Sequence, residues 1–551
     1  MHLESIGQDK STNLKIKILK KILILTFLSI ILNQNFNYQP GDWFMFIQPG
    51  SINCITETSS SVMFGTDNGI FYQDKFNFEI NYDSYNSNEL QSKKIHHIIY
   101  DKNTDYYWLV NEDGINYKAS ISKYWNVIPF YKISINSPFQ IINIGYNSEA
   151  IWIKTNFGII PLNRYNGNRE SLDLFNEIEW GSSKIQLNEK IDLFNYNFND
   201  SWLISNDKIY NTKNNLEYHP IVMYENTFGE TWVGTSSGLF FYGKYGWLNP
   251  YYLGMAHKNI TEIYFDNQNT WWFGESYLKY NYNKNIFGQN FLNSGNVFLS
   301  SWNENENIWE YYYSNESLSI KNTDINKILR HNSKVYLGTM KGILVLDIIE
   351  RSWENIIRDL NDEAVWDLII IDNSLLVATA RGINEISLLE NIVIPNKNSF
   401  LDELNNKEIY KFILEDQMLY VSFSDGLAKI DFINEDINYI SNKRIKDFQI
   451  NQNRIFINDS KIYQIIAENK LKPYNLILDK GFDFCVSEEF IWTFTKNELY
   501  LYNMKKNIDW SYDYSDGIYG DFIYTLDCDD QWVWFSTNKG VFYYNWGAYH
   551  K

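Results

Sequence analysis

The sequence predicts an all-β fold, and three observations support that prediction. Aromatic residues make up 17% of the 551 residues, and aromatic side chains pack well on the half-buried surface of a pleated sheet. Glycine or asparagine clusters interrupt the chain every six to ten residues, so no amphipathic helix of ordinary length fits between them. One motif recurs about thirteen times, which a β-sandwich would not produce.

The recurring motif is a strand ending in aromatic-x-Gly-Thr or a close variant, then two or three turn residues, a glycine and an aliphatic residue. The clear copies begin at Val62, Thr231, Val335, Leu375 and Val533. Looser copies are centred on Trp108, Trp152, Trp202, Trp272, Trp309, Tyr420, Phe456 and Trp492. The copies lie about forty residues apart on average, which is the period of one blade of a β-propeller.

One copy, residues 324–356, shows how a repeat makes a small sheet. Residues 324–330 alternate with period two, and a polar turn separates them from a second strand that ends at Thr339. Gly342 can take a positive φ without a Cβ clash, so it turns the chain into a third strand. A fourth strand follows around Trp353. Four antiparallel strands make one blade, and blades arranged around an axis bury both of their faces.

We therefore predict two tandem β-propellers of about six to seven four-stranded blades each, over residues 40–290 and 291–551. The boundary is placed near residue 290 because the copy around Trp309 is the most degraded. The last repeat supplies three strands and little of a fourth, whereas residues 42–47 resemble an outer strand. We expect this N-terminal strand to complete a blade elsewhere. If its partner is the last repeat, the first ring is inserted into the second; a head-to-tail pair is the alternative.

The N-terminus has the pattern of a secretory signal peptide. Four lysines (Lys15, Lys17, Lys20 and Lys21) precede an apolar stretch over residues 22–32, which is too short to span a bilayer as a helix. We assign residues 1–39 to a signal peptide and leader; an uncleaved anchor and a buried strand are the alternatives. No later segment reaches 18 apolar residues. We therefore expect an exported protein, periplasmic, on the cell surface or secreted, without an integral membrane segment after cleavage.

Charge and cysteine content exclude further classes of function. The net charge of −19 argues against a nucleic-acid partner, because phosphate backbones are bound by lysine and arginine surfaces. Cys54, Cys485 and Cys528 are too few and too scattered for a disulfide framework, and no redox role is predicted.

No motif in the sequence predicts a catalytic or metal site, and we predict no cofactor. Gly234 and Gly238 frame a G-x-S-x-G pattern, but it falls on the recurring hairpin, whereas a nucleophile elbow needs a strand, a turn and a helix. His96 and His97 are neighbours on a strand and point to opposite faces, so they cannot share a metal ion. Two acidic runs lack the spacing of a calcium loop and are interpreted as turn residues: Asp513, Asp516 and Asp521, and Asp527, Asp529 and Asp530.

Tyrosine clusters are the sequence's best candidates for a binding surface. They are the runs 251–252, 311–313 and 512–514, which hold two, three and two tyrosines. Such rings stack on sugars and grip partner proteins. Alternation along a strand places at least one ring of each pair in the core. The individual binding residues stay unassigned.

The repeat, written I-x-x-I-x-x-D-x-x-x-x-W-x-G-T-x-x-G-[LIV]-x-x-Y, resembles the two-component-regulator propeller repeat over residues 41–551. It also resembles the propeller region of PorZ-type proteins of the type IX secretion system. The first resemblance implies a periplasmic sensor module of a hybrid histidine kinase, usually with two propellers. The chain departs from these families because no transmembrane helix, kinase, immunoglobulin-like domain or sorting domain follows the repeats.

The sequence therefore predicts a non-enzymatic binding module of the cell envelope, sensor-like or scaffold-like. Its partner would be an envelope protein or a glycan held at one mouth of a propeller, where loops converge. Two alternatives stay open: a propeller lyase or glycosidase acting on polysaccharide, and a type IX secretion accessory protein. Two carboxylates of shifted pKa in a pocket near an axis would favour an enzyme.

Overall fold

The computed structural model describes most of the chain after residue 42. The described residues are 43–133, 140–172, 177–183, 191–199, 201–205, 207–213, 216–226, 228–243, 246–266, 268–275, 298–314, 318–320, 323–395, 399–458, 461–467, 470–474, 483–518 and 520–551. In this part of the chain, 48 strands form twelve antiparallel sheets, most of them four-stranded. The predicted all-β fold is confirmed.

The first strand is β1 (Trp43–Ile47), and five sheets follow it, which we call the N-terminal set. Their strands are β2 (Ile52–Glu57), β3 (Ser61–Thr66), β4 (Gly69–Asp74), β5 (Ile80–Tyr82), β6 (His97–Asp101), β7 (Tyr106–Val110), β8 (Ile115–Ala119), β9 (Asn126–Ile128), β10 (Ile141–Tyr146), β11 (Ile151–Thr155), β12 (Gly158–Leu162), β13 (Glu179–Trp180), β14 (Ser182–Ser183), β15 (Trp202–Ser205), β16 (Lys208–Asn211), β17 (Leu216–Tyr218), β18 (Pro220–Glu225), β19 (Thr231–Thr235), β20 (Leu239–Tyr242) and β21 (Leu248–Tyr251).

Seven further sheets, the last of which includes β1, form the C-terminal set. Their other strands are β22 (Ile260–Phe265), β23 (Thr270–Glu275), β24 (Phe298–Asn303), β25 (Ile308–Tyr313), β26 (Ile325–His331), β27 (Lys334–Thr339), β28 (Gly342–Asp347), β29 (Ser352–Ile356), β30 (Val365–Ile371), β31 (Ser374–Thr379), β32 (Gly382–Ser387), β33 (Ile392–Ile394), β34 (Ile409–Glu415), β35 (Met418–Phe423), β36 (Gly426–Asp431), β37 (Asp436–Ser441), β38 (Phe448–Asn451), β39 (Arg454–Asn458), β40 (Ile462–Ala467), β41 (Lys470–Pro473), β42 (Phe484–Ser487), β43 (Phe490–Phe494), β44 (Leu499–Asn503), β45 (Ile508–Tyr512), β46 (Ile523–Cys528), β47 (Val533–Thr537) and β48 (Gly540–Tyr544).

Helical segments in the described residues are short. They are α1 (Ser84–Ser87), α2 (Gly547–His550) and three 3₁₀ turns, Phe130–Ile133, Ser399–Leu404 and Tyr514–Asp516. Within the described ranges, no helix has the length and apolar character needed to cross a membrane.

The threonine of the repeat motif closes the hairpin that follows it. The hydroxyl of Thr339 donates to the carbonyl of Gly342 at 2.8 Å and accepts from the backbone N–H of Lys341 at 3.1 Å. Thr235 bonds Gly238 in the same way, at 2.7 Å. The segment from Gly234 to Gly238 therefore joins two strands, β19 and β20, and has no helix after it.

The glycine of the motif lets consecutive sheets approach each other. A Cβ atom at Gly234 would lie 2.7 Å from Cγ2 of Ile52, in the first strand of the adjacent sheet, and one at Gly338 would lie 2.9 Å from Cγ1 of Val365. Real Cβ atoms do not come so close, so a larger residue would push the sheets apart. The aromatic residue of the motif fills the core beside this contact, and Trp232 is 1% exposed.

The first strands of successive sheets contact one another. In the C-terminal set the contacts run from β22 through β26, β30, β34, β38 and β42 to β46, and β46 also contacts β22. In the N-terminal set they connect β18, β2, β6 and β10. The sheet of β15–β17 packs against the sheet of β18–β21 through a hydrophobic cluster that includes Trp202, Tyr218 and Phe240.

The N-terminal strand β1 completes the last sheet. It pairs antiparallel with β48, from Trp43 opposite Tyr544 to Ile47 opposite Gly540, and is the outermost strand of that sheet. The N-terminal set therefore lies, in sequence, between two parts of the C-terminal set. The pairing of β1 with the last repeat is the one that the inserted arrangement requires.

The strand around Trp309 is not a repeat of its own, and the described residues form twelve sheets where the sequence predicts about thirteen repeats. Trp272 in β23 and Trp309 in β25 belong to the same sheet, because β24 pairs with both strands. Residue 290, the predicted boundary, lies outside the described residues; the strands before and after it, β23 and β24, pair with each other.

A short segment after β12 fills the space between first strands of the N-terminal set. β13 pairs with β10, and β14 pairs with β2 in a different sheet. Between them, the carbonyl of Gly181 accepts a hydrogen bond from Nδ2 of Asn143 at 2.9 Å. A Cβ at Gly181 would meet Ile99 in β6 at 2.6 Å, so the segment is enclosed by three first strands.

Cys485 and Cys528 form a disulfide, which the sequence interpretation missed. They lie in β42 and β46, the first strands of adjacent sheets, and their Cα atoms are 5.9 Å apart. Their separation of 43 residues is close to one repeat, so the fold brings them to equivalent positions. Cys54 is a buried free cysteine.

Candidate functional site

A cavity of about 340 Å³ lies between the N-terminal and C-terminal sets, and we call it the tyrosine cavity. The N-terminal set contributes Tyr218 in β17 and Tyr251 in β21, and the C-terminal set contributes Tyr311 and Tyr313 in β25. Tyr252 comes from the connection between the sets. The other lining residues are Gln48, Pro49, Gly50, Ile52, Leu216, Glu217, Ser237, Gly238, Leu239, Pro250, Leu253, Met255, Ala256 and His257.

The fold therefore brings together two of the three tyrosine clusters that the sequence pointed to. The rings of Tyr252 and Tyr311 lie 4.0 Å apart between centroids, at 32°. Tyr312 points to the other face of β25, where it packs against Trp272 in the core. Tyr514, in the third cluster, is 68% exposed and does not line this cavity.

The hydroxyl groups of the cavity tyrosines are held by polar partners. Tyr311 donates to the carbonyl of Gly254 at 2.6 Å, and the hydroxyl of Tyr251 accepts from Nε2 of Gln73 at 2.5 Å. The hydroxyls of Tyr313 and Tyr218 are hydrogen-bonded to each other. The last bond joins the two sets, because Tyr313 lies in β25 and Tyr218 lies in β17.

Burial keeps these phenols neutral. Burial raises the pKa of Tyr251 to about 12, and it raises the pKa values of Tyr311 and Tyr313 well above the ordinary value of 10. At physiological pH these groups donate and accept hydrogen bonds but do not act as phenolate bases. The five tyrosines therefore give the cavity an aromatic, uncharged surface, which suits a neutral ligand with hydroxyl groups.

Charges at the edge of the cavity are paired with each other. Glu217 forms an ion pair with Lys208, and its Oε1 lies 3.3 Å from Nε2 of His219. The hydrogen bond from Lys208 lowers the pKa of Glu217. These side chains are exposed, so the pairing leaves the wall of the cavity without a net charge of its own.

The two chain connections between the sets line the same cavity. Residues 48–51 lead from β1 to β2, and residues 252–259 lead from β21 to β22. Nε2 of Gln48 donates to the carbonyl of Ala256 at 2.8 Å. A Cβ at Gly254 would lie 2.3 Å from the carbonyl oxygen of Ile47, so only glycine allows the two connections to lie side by side.

A second, smaller cavity of about 280 Å³ lies nearby at the junction. It is lined by β1, by β5 and by residues of the β24–β25 hairpin, and Leu253 lines both cavities. Beside it, Nδ2 of Asn307 donates to the carbonyl of Ile80 at 3.1 Å and so links the two sets.

A second group of polar side chains lies on the first strands of the C-terminal set. Nζ of Lys327 is 3.8 Å from Glu262 and 3.8 Å from Asp367, on the strands before and after its own. Nζ of Lys411 lies 2.7 Å from Asp447. The first strands that carry Glu262, Lys327, Asp367 and Lys411 each have a register shift just before that residue, and Asp447 lies just before β38. The charges therefore occupy equivalent positions on consecutive sheets.

These charges tie consecutive sheets together. Burial by itself lowers the pKa of Lys327, but the carboxylates of Asp367 and Glu262 raise it above its ordinary value. Oδ2 of Asp367 also accepts the backbone N–H of Phe412 at 2.6 Å, in the next sheet. Burial raises the pKa of Asp527, on the last of these first strands. Because three of the carboxylates are paired with lysines, we assign this group to holding the sheets in place.

The histidines and acidic runs have structural surroundings. Among the residues the structure describes, no group of three or more His, Cys, Asp or Glu side chains is placed to hold a metal ion. His97 is 6% exposed at the start of β6. Oδ1 of Asp529 accepts the backbone N–H groups of Gln531 and Trp532 in a tight turn.

Lowering the pH from 7 to 5 is expected to destabilise the fold through His97. Burial, with a smaller effect of His96, lowers the pKa of His97 from 6.5 to about 4. The unfolded chain therefore takes up the proton first as the pH falls. The stabilisation is complete above pH 6.5 and is lost as the pH falls toward 4. We expect a loss of about 2 kcal/mol in the free energy of unfolding at pH 5.

Urea unfolding at pH 7 and pH 5 measures this loss. His97→Gln is expected to reduce the difference in stability between the two pH values. Equal pH dependence in the wild type and His97→Gln would show that His97 titrates alike in the folded and unfolded chains.

No family model matches this chain, and no curated protein matches it. Among solved structures it is similar to the extracellular domain of the putative one-component system BT4673 from B. thetaiotaomicron, with 13% identity and a TM-score of 0.40 over 91% of this chain and 70% of that chain. It is similar to PorZ, a surface component of the type IX secretion system of Porphyromonas gingivalis, with 10% identity and a TM-score of 0.43 over 92% of this chain and 87% of that chain. A computationally designed protein, Ika8, matches 59% of this chain and 95% of its own length, with 13% identity and a TM-score of 0.37.

The first two neighbours are of the kinds that the repeat motif resembles. We base no functional inference on similarities of this size.

Proposed function

We propose that this protein is an exported, non-enzymatic binding module of the cell envelope whose ligand occupies the tyrosine cavity. Five aromatic rings from two sets of sheets and their connection converge on one space of about 340 Å³, and this observation carries the proposal. Small-molecule sites are typically clefts of about 300–1,000 Å³ with mainly apolar walls and a few polar groups.

The proposal includes the architecture. The C-terminal set forms a seven-bladed propeller, because its first strands contact one another in a closed series and β1 completes the last sheet. The N-terminal set forms a propeller of five blades, fewer than the six to seven expected, with residues 179–183 at its axis. The boundary then lies in the connections, near residues 48–51 and 252–259.

Export is supported by two independent features. The sequence predicts a signal peptide over residues 1–39, and Cys485 is bonded to Cys528. Structural disulfides form and persist in oxidising compartments such as the periplasm and the cell surface.

The ligand class follows from the chemistry of the cavity wall. Tyrosine rings pack against apolar faces, while their neutral hydroxyls exchange hydrogen bonds with polar groups. A short neutral glycan presents both kinds of surface, whereas a strongly charged ligand finds no unpaired counter-charge in the ion pairs of Lys208 and Glu217. We therefore propose a glycan fragment as the ligand.

Binding to a panel of neutral di- to tetrasaccharides, measured by isothermal titration calorimetry, tests the proposal. The wild type is expected to bind at least one member, and Tyr252→Ala is expected to weaken that binding by about tenfold or more, because it removes a ring from the cavity wall. Tyr514→Ala, at an exposed ring outside the cavity, is the matched control and should bind as the wild type does.

Failure of every saccharide to bind, or equal affinity of Tyr252→Ala and the wild type, would contradict the proposal. The same mixtures, analysed for cleavage products, test the alternative of a polysaccharide-degrading enzyme. Co-purification with outer-membrane secretion proteins tests the alternative of a type IX accessory protein.

A further inference from the structure

The two proposed propellers are connected by two chain segments that lie beside each other. Only two chain segments lead from one set to the other, residues 48–51 and 252–259. The hydrogen bond from Gln48 to Ala256 and the close approach of Gly254 to Ile47 hold these segments side by side. Two connections that lie side by side allow one propeller to rotate relative to the other about the line of the connections. Hinges between domains are built in this way.

The junction is also indented by two clefts that open to solvent. They have volumes of about 340 and 280 Å³ and share Leu253 as a wall. Interfaces between domains permit relative motion unless they are large and well packed.

The wall of the tyrosine cavity is divided between the two propellers. Tyr218 and Tyr251 belong to the first, and Tyr311 and Tyr313 belong to the second. The hydrogen bond between Tyr313 and Tyr218 crosses the cavity wall from one propeller to the other. A molecule that touches both halves of the wall has an affinity that depends on the angle between the propellers. By thermodynamic linkage, binding of such a molecule shifts the distribution of angles between the propellers toward the angle at which it binds most tightly.

From these observations we infer that the paired connections act as a hinge and that occupancy of the tyrosine cavity sets the angle between the two propellers. The inference rests on the proposed function only in one respect: the molecule that occupies the cavity in nature is the proposed ligand. A substituted side chain that fills the cavity should change the angle between the propellers in the same way.

Distances between spin labels on the two propellers test the inference. Labels are placed on Ser60→Cys in the first propeller and on Glu350→Cys or Lys443→Cys in the second, all at exposed positions. Cys54 is buried and the other native cysteines form the disulfide, so the introduced thiols are the accessible ones. Two label pairs are used because a rotation that leaves one distance unchanged alters the other.

Ser237→Trp places a large side chain at the cavity, because Ser237 is an exposed lining residue of the β19–β20 hairpin. We expect it to shift a mean label distance by about 3 Å or to narrow the distribution clearly. The matched control is Asp425→Trp, at the equivalent exposed position of the hairpin between β35 and β36, which should leave both distributions as in the wild type. Thermal unfolding verifies that both variants fold.

The outcomes separate this inference from the proposed function. A shift with Ser237→Trp, without binding of any saccharide, supports the hinge and removes the glycan proposal. Unchanged distributions with Ser237→Trp and with a bound saccharide overturn the hinge and leave the binding function standing. Unchanged distributions with Ser237→Trp in the absence of saccharide binding overturn both.

Discussion

Replacing Cys485 and Cys528 together by serine is expected to lower the free energy of unfolding of the C-terminal set by about 4 kcal/mol. The disulfide closes a loop across 43 residues, and in the chain-entropy account it restricts the unfolded chain by an amount that grows with loop length. It also joins first strands of adjacent sheets, β42 and β46. Urea unfolding of the wild type and the double variant under oxidising conditions measures the difference.

Reductant provides the control for this prediction. Dithiothreitol should lower the stability of the wild type to that of the double variant and should not affect the double variant itself. Cys54→Ser removes the remaining cysteine, so its stability should fall on reduction by the same amount as that of the wild type. A wild type that is equally stable with and without reductant would contradict the prediction.

The variant Trp43→Ala is expected to lose about 3 kcal/mol of stability, because Trp43 anchors the strand that completes the last sheet. Its ring stacks on Tyr544 at 4.4 Å between centroids and 16°, and it meets Phe535 edge-on at 6.5 Å. Without this anchor β1 retains its backbone pairing but packs poorly on the core. Thermal and urea unfolding, followed by tryptophan fluorescence and circular dichroism, measure the loss.

The neighbouring residue offers a matched control. Phe44 points to the other face of β1 and is 45% exposed, so Phe44→Ala should cost less than about 1 kcal/mol. Equal losses in the two variants would mean that β1 contributes through its backbone pairing and not through the Trp43 contact.

Much of the local structure could be predicted because each residue of the repeat motif has a local role. Thr339 closes its own hairpin, and Gly342 has a φ of 113°, which favours glycine. These interactions lie within a few residues of one another, so they leave a pattern in the sequence. The same reasoning placed the G-x-S-x-G segment on a hairpin between two strands.

The candidate site could be predicted only in part. Clusters of tyrosines at 251–252 and 311–313 pointed to it, but Tyr218 carried no signal, because it stands alone in the sequence.

Two features of the fold were also missed. The sequence around Trp309 predicts a separate repeat because an aromatic residue on a fourth strand looks like one on a second strand. The disulfide was missed although its two cysteines stand 43 residues apart, about one repeat, which is the signal that would have found it.

A single sequence was enough to recognise the unit of construction: a hairpin-rich sheet about forty residues long, repeated along the chain. Alternation, turn residues and motif glycines act over short distances, so they can be recognised in a single sequence. The tertiary structure decided which sheets neighbour each other, that β1 pairs with β48, and that tyrosines from β17, β21 and β25 share one cavity. Those contacts join residues far apart in the chain, and they depend on how whole sheets pack, which no local pattern specifies.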